Sequence, residues 1–387
     1  MNVGEQGVLK KLLEKKKLDI AMFGHKRIPS REGGIEVVVE ELSVRMVRKG
    51  HKVVCYNRRG HHIAGADFDG HKKKEYKGVK LVNVFTMNRK GLAAMSASVF
   101  GAIRASFSLA DVVHIHAEGP AVMAWLPKLM RKKVVVTIHG LDWARAKWGK
   151  FASWYIKTGE KNAVRFADEI IVLSKEIQEY FFGTYGKKTV FISNGVNRPN
   201  IVAAKEITDK WEIKKDSYIL FLGRLVPEKG IHYLLQAFKN IKTDKKLVIT
   251  GGASDTEDYM NRLRAMGVEN VIFTGFQQGR ILEELYSNAY VYCLPSDLEG
   301  MPLSLLEAMS YGNCCLVSNI AECAEVVEDK ALMFEKGNVT DLAKKLQLLC
   351  DDGELVNEFK KTAQDFIYDK YNWDDVTNRT IELYRGE

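Results

Sequence analysis

Short apolar runs rich in β-branched residues alternate with longer amphipathic stretches along almost the whole chain. "LDIAMFG" reads as a strand. After a loop, "GIEVVVEELSVRMVRKG" carries helical spacing and stops at Gly50. Further strand candidates are "HKVVCYN", "VKLVNVF", "DVVHIHA", "KVVVTIHG" and "EIIVLS". The pattern pauses near residues 195–205, in "NGVNRPNIVAAKE", and restarts with "YILFLGR", "KLVITGG", "NVIFTGF", "YVYCLPS" and "GNCCLVSNI". Strands alternating with helices form parallel sheets covered on both faces. Nearly continuous apolar strands suit burial on both sides. The expected fold is therefore α/β, with two doubly wound domains facing each other across a cleft. The first covers residues 1–198 and the second 199–368, with 369–387 a C-terminal helix packing back on the first. A chain of 387 residues suits two domains of ordinary size.

No apolar run approaches the roughly 18 residues of a membrane-spanning helix, and "MNVGEQGVLKKLLEKKKLDIAMF" lacks a secretion signal's apolar centre. The expected location is the cytoplasm, including the inner face of a membrane. Six cysteines show neither a CxxC pair nor zinc-finger spacing, so they read as reduced core thiols. The formal charge of +9 points to an anionic partner. Basic clusters such as "KKLLEKKK" and "HKKKEYKGVK" form no aromatic-interleaved nucleic-acid motif and no zinc-finger pattern. Acidic lipid or phosphorylated metabolites therefore fit better than nucleic acid.

Ligands of doubly wound sheets bind beyond the carboxyl ends of the strands. There the first half offers Gly33 and Gly34 before a helix, in "GHKRIPSREGGIEVVVEEL", and two strand-end histidines, His116 and His139. His114 shares a strand face with His116 but lies deeper and reads as structural. His61, His62 and His71 match no familiar metal spacing. In the second half, Arg224 and Lys229 flank the turn in "YILFLGRLVPEKGIHYLLQAF". A planar fork and a compact point charge suit a diphosphate. Taken singly, these are also ordinary turn glycines, core histidines and surface cations. The stretch "DLEGMPLSLLEAMSYG" is harder to explain by structure alone. Glu299 precedes a turn, Pro302 suits the first position of a helix, and Glu307 points in from the helix body. The N–H groups of Leu303 and Ser304 face the spot where a phosphate fits. Two carboxylates so placed can each accept hydroxyl pairs from a sugar and a ribose.

From about residue 18 to the C-terminus these residues resemble the GT-B glycosyltransferases, in particular the large retaining family called group 1. "EGMPLSLLEAMSYG" matches that family's two glutamates and "GRLVPEKG" its arginine–lysine pair. The resemblance implies that Glu307 binds the nucleotide ribose, Glu299 the donor sugar, and Arg224 and Lys229 the diphosphate. Gly300, Met301, Leu303 and Ser304 would line the donor, as would Gly33 and Gly34 of the first-domain loop. It places Phe276 and Gln277 of "GFQQ" at the base. It makes His116, Glu299, Arg224 and Lys229 the catalytic set, with His116 close to the transferred sugar. The implied donor is a UDP-, dTDP- or GDP-sugar, used with retention and without a metal or other cofactor. The implied acceptor is a glycan or a lipid-linked sugar, met by first-domain loops such as "NRRGHHIAGADFDGHKKK". "GHKRIPSREGGIEVVVEEL" also resembles the rhamnosyltransferase-like branch that builds capsule and cell-wall polysaccharide. Cys314 departs from the family by replacing a proline, and the basic stretch before the first strand is longer than usual. That stretch suits either a helix on anionic lipid or a frayed terminus. Two alternatives share these features: a GT-B sugar-nucleotide 2-epimerase, which needs acid–base carboxylates the sequence does not place, and a non-catalytic binder of anions or lipid surfaces.

Overall fold

A computed structural model describes residues 17–31, 33–60, 73–89, 91–144, 149–252 and 257–387. The N-terminal basic stretch and the three loop histidines lie outside the described residues.

The first domain is built on eight strands: β1 (Asp19–Phe23), β2 (Lys52–Arg58), β3 (Glu75–Tyr76), β4 (Val79–Val84), β5 (Val112–His116), β6 (Lys133–Ile138), β7 (Glu169–Val172) and β8 (Val190–Phe191). Their order is β3-β4-β2-β1-β5-β6-β7-β8, parallel except for the β3–β4 pair. The second domain has six parallel strands: β9 (Tyr218–Leu222), β10 (Lys246–Thr250), β11 (Val271–Gly275), β12 (Val291–Leu294), β13 (Cys314–Ser318) and β14 (Leu332–Phe334). Their order is β11-β10-β9-β12-β13-β14. Strand order reverses between β1 and β5 in one sheet, and between β9 and β12 in the other. Doubly wound sheets open a crevice at such points.

The sheet interiors are apolar on both faces. β5, β12 and β13 are buried at every position, as fully covered parallel strands require. β3, β8 and β14 are two or three residues long, too short to show a period in sequence. The six cysteines are free thiols, and all but the half-buried Cys350 are buried. At Tyr371 the chain returns to the first domain, where Val196 N–H donates to the Tyr371 carbonyl (3.0 Å). The helix Trp373–Arg385 then packs on the helix Gly34–Arg48. Its Tyr384 hydroxyl meets His114 Nδ1 at 2.5 Å, and Thr137 Oγ1 meets the other ring nitrogen at 2.7 Å. His114 is a satisfied core residue.

The helix Leu92–Ser106 packs inside out. Ala97, Ser98, Gly101, Ala102, Ala105 and Ser106 face the sheet, while Leu92, Phe100 and Ile103 are exposed. Small residues let the helix lie close: a Cβ on Gly101 would stand 3.3 Å from that of Phe23. The large apolar side chains are left on the outside.

Candidate active site

The two switch points face each other and enclose a cavity of about 390 Å³. The end of β1 supplies Gly24, whose close approach to β5 leaves no room for a side chain. An added Cβ would sit 2.1 Å from the His116 carbonyl oxygen, and φ is +109°. The loop beyond carries Lys26, Arg31, Gly33 and Gly34 to the cavity wall. Gly34 opens a helix whose preceding residue makes no side-chain cap. Across the cleft, a Cβ on Gly34 would lie 3.3 Å from Leu303.

At the second switch point, the end of β9 leads to Gly223 and Arg224, and a short 3-10 turn presents Lys229. Lys229 Nζ donates to Glu299 Oε1 at 2.5 Å, and Ser296 Oγ donates to the same oxygen at 2.6 Å. Both partners of this ion pair are nearly buried, at 12% and 8% exposure. An ammonium has three donors, so two of Lys229's remain for a ligand. The helix Leu303–Ser310 begins beside them without a side-chain cap, so its first N–H groups and dipole favour an anion there. Pro302 is the residue before that helix rather than its first residue, with ψ +94° outside the helical range.

Glu307, about one turn into that helix, lines the same cavity and is 27% exposed. Its Oε1 accepts from Arg31 Nη1 at 3.1 Å and its Oε2 from the Tyr286 hydroxyl at 3.2 Å. Burial pushes this carboxyl above its usual range, and the Arg31 guanidinium pulls part of that back. Phe276 and Gln277 lie at the cavity wall after β11, with the Gln277 amide donating to Thr274 O at 2.6 Å.

His116 and His139, alike at their strand ends, are placed differently. His116 does not line the cavity: its ring is fully buried. The strand pleat stacks it on His114, with ring centroids 4.1 Å apart, and sets its Nδ1 3.2 Å from His139 Nε2. His139, at the end of β6, is the histidine on the cavity wall. Burial holds His116 well below the usual imidazole range and His114 at about 3, so both are neutral near pH 7. The other ring nitrogen of His116, Nε2, is buried without a hydrogen-bond partner.

Gly300 and Met301, named above, line the cavity and also join the two domains, whereas no motif in the sequence singles out Asn194, Asp142 or Glu118. Gly300 is a contact between domains: a Cβ there would fall 1.7 Å from the His139 carbonyl oxygen. Met301 Sδ accepts the Asn194 N–H across the same seam at 3.0 Å. Asp142 reaches the cavity on a loop whose backbone N–H donates to the fully buried Glu118 (2.8 Å). Glu118 follows Ala117, held at φ +78°, a conformation few side-chain-bearing residues adopt.

Two Rossmann-like domains that converge on such a cavity define the GT-B glycosyltransferase architecture. Residues 204–366 match the family described as Glycosyl transferases group 1, and residues 32–198 match Glycosyltransferase Family 4. The two matches, one to each domain, mark the chain as a glycosyltransferase whose second domain matches the group 1 family. It is 27% identical to an uncharacterised glycosyltransferase of Methanocaldococcus jannaschii, over 95% of this chain and 98% of that one. It is 26% identical to the N,N'-diacetylbacillosaminyl-diphospho-undecaprenol alpha-1,3-N-acetylgalactosaminyltransferase of Campylobacter jejuni, over 62% of this chain and 72% of the relative. Among solved structures, Anabaena HepE in complex with UDP-glucose superposes with a TM-score of 0.79 at 17% identity, covering 96% of this chain and all of that one (100%).

Proposed function

We propose that the protein transfers a hexose from a nucleoside-diphosphate sugar to a lipid-linked glycan acceptor during surface polysaccharide synthesis, with retention at the anomeric carbon. One observation carries this reading. Arg224, Lys229, the uncapped helix start at Leu303 and the carboxylates Glu299 and Glu307 all line one cavity at the switch points. Two cations and a helix tip suit a diphosphate, and Glu307 has acceptor sites left for ribose hydroxyls. The donor seen with HepE and the lipid-linked acceptor in the Campylobacter enzyme's name agree with this class. The first-domain loop resembling the rhamnosyltransferase-like branch points to capsule or cell-wall glycans.

In the proposed reaction the bond from the anomeric carbon to the diphosphate breaks as the acceptor oxygen bonds to that carbon on the same face. The departing phosphate takes the acceptor's proton. Negative charge grows on the leaving oxygen, where Arg224, Lys229 and the helix N–H groups stabilise it. Fixed donors aimed at developing charge are usually the largest catalytic contribution. Glu299 and His139 border the transferred sugar, and closure of the domains keeps water from intercepting it.

Thermal-shift screening against UDP-, GDP- and dTDP-sugars should single out one donor, because a ligand bound only by the folded state raises its stability by mass action. Transfer of that donor's labelled hexose to a lipid-linked acceptor should follow and should persist in EDTA. No shift with any donor would refute the reading.

The acceptor's lipid also gives a role to the exposed outer face of the first domain. Phe107, Leu109, Trp125, Leu129, Phe151 and Trp154 are exposed there, alongside the Leu92–Ser106 helix. Exposed cations Arg104, Lys128, Arg131 and Lys150 lie among them. Aromatic and aliphatic side chains beside cations suit an anionic bilayer surface. The chain should float with vesicles containing phosphatidylglycerol. Phe107→Ser combined with Trp154→Ser should weaken that by roughly a hundredfold or more, by removing two exposed side chains that the bilayer would bury. Equal flotation of the variant would place the lipid contact elsewhere. Among the described residues no helix is long and apolar enough to cross a membrane.

A further inference from the structure

The Arg31–Glu307 pair joins residues 276 positions apart, on opposite walls of the cleft. Arg31 belongs to the first-domain glycine loop, and Glu307 to the second-domain helix that starts at Leu303. A carboxylate offers about four acceptor sites. Arg31 takes one on Oε1 and Tyr286 one on Oε2, so a ribose diol can bind without displacing either. Arg31 is held in turn by Glu41 of the helix Gly34–Arg48, at 3.8 Å. The charged and titratable groups around Glu307 include Arg31 and Glu41 from the first domain, and Tyr286 and Tyr311 from the second, with Glu40 acting on Arg31, and Glu283 and Tyr368 on Tyr311. Arg31 is the cation among them.

We propose that Arg31 is a positioning residue for the donor: pairing with Glu307 across the cleft, it fixes the charge and orientation of the ribose-binding carboxylate when the domains are closed. This rests on the reading of Glu307 as the ribose ligand. The donor site is then completed only by closure, and donor binding favours the closed state by the same free energy. The pH dependence follows from the same pair. Burial raises the Glu307 carboxyl and Arg31 opposes that rise. Without Arg31 the group takes up its proton at a higher pH, so affinity lost on acidification is lost earlier.

UDP, GDP and dTDP are titrated calorimetrically into the wild-type protein, and the tightest of them is used at each half unit of pH from about 5 to 8. Arg31→Ala should bind roughly tenfold more weakly at the upper end, the worth of one charge-assisted hydrogen bond. The midpoint of its acid-side loss should move up by about one pH unit. Arg31→Lys, which keeps the charge, should keep the wild-type midpoint. The nucleotide's own phosphate titration is common to all three proteins and cancels. If the wild type binds none of the nucleotides, the site reading itself fails, and this inference with it. If the wild type binds but Arg31→Ala matches it in affinity and midpoint, the positioning role alone is overturned. Tighter binding by Arg31→Ala would also overturn it, because Arg31 would then be competing with the ribose.

Discussion

Lys229→Ala is expected to lower kcat/KM for the donor by roughly 10²–10³-fold, the cost of removing one preorganised donor from developing charge. It should also destabilise the fold, because Glu299, 8% exposed, is left with only Ser296 on its bonded oxygen. Breaking a nearly buried pair from one side costs about 3–5 kcal/mol. The two effects separate in a cycle. Adding Glu299→Ala to Lys229→Ala removes the stranded carboxylate and should recover most of the stability measured by urea unfolding. It should recover none of the activity, since the diphosphate still lacks its cation. A Lys229→Ala protein that binds and turns over donor normally would show that the ion pair is structural and that the diphosphate lies elsewhere.

Gly300→Ala should be nearly as damaging, for a steric reason. The added Cβ would lie 1.7 Å from the His139 carbonyl oxygen, 2.7 Å from its carbon and 3.2 Å from Gly140 Cα. All three are first-domain backbone atoms that no rotamer change can move, so the domains must part. Parting draws His139 away from the transferred sugar and Arg31 away from Glu307. Misplacement by about 1 Å can cost roughly 10²-fold in rate, and that loss is expected in single-turnover transfer. Nucleotide affinity should fall no further than in Arg31→Ala, because Lys229, Glu307 and the helix start all belong to the second domain. Small-angle scattering should show a more open particle. Wild-type turnover would mean that the reaction does not need this closure.

Local pattern revealed much of this protein. Strand–helix alternation is a nearest-neighbour property, so the parallel strands and the cavity-lining loops after them are visible in the sequence. Glu307 could be placed because proline and helical period fix its direction relative to the turn. What stayed hidden depends on contacts between distant segments. Nothing near Arg31 signals a partner 276 residues away, and Lys229 and Glu299 meet across 70. His116 and His139 look equivalent as strand-end residues. The pleat that stacks His116 on His114, and the unusual turn at Ala117, decide that His139 is the one exposed to the cleft. Gly300, which the resemblance implies lines the donor, is on the cavity wall, but nothing in the sequence shows that it also abuts the other domain's backbone.

On the proposed function, the two cations and the helix tip hold a diphosphate while Glu307 holds the ribose. A crystal structure with the preferred nucleoside diphosphate tests it most directly. Phosphate oxygens should lie within about 3.2 Å of Lys229 Nζ and of the Leu303 or Ser304 N–H, with both ribose hydroxyls on Glu307. A nucleotide bound outside this cavity, with Glu307 touching only Arg31 and Tyr286 and Lys229 only Glu299, would contradict it.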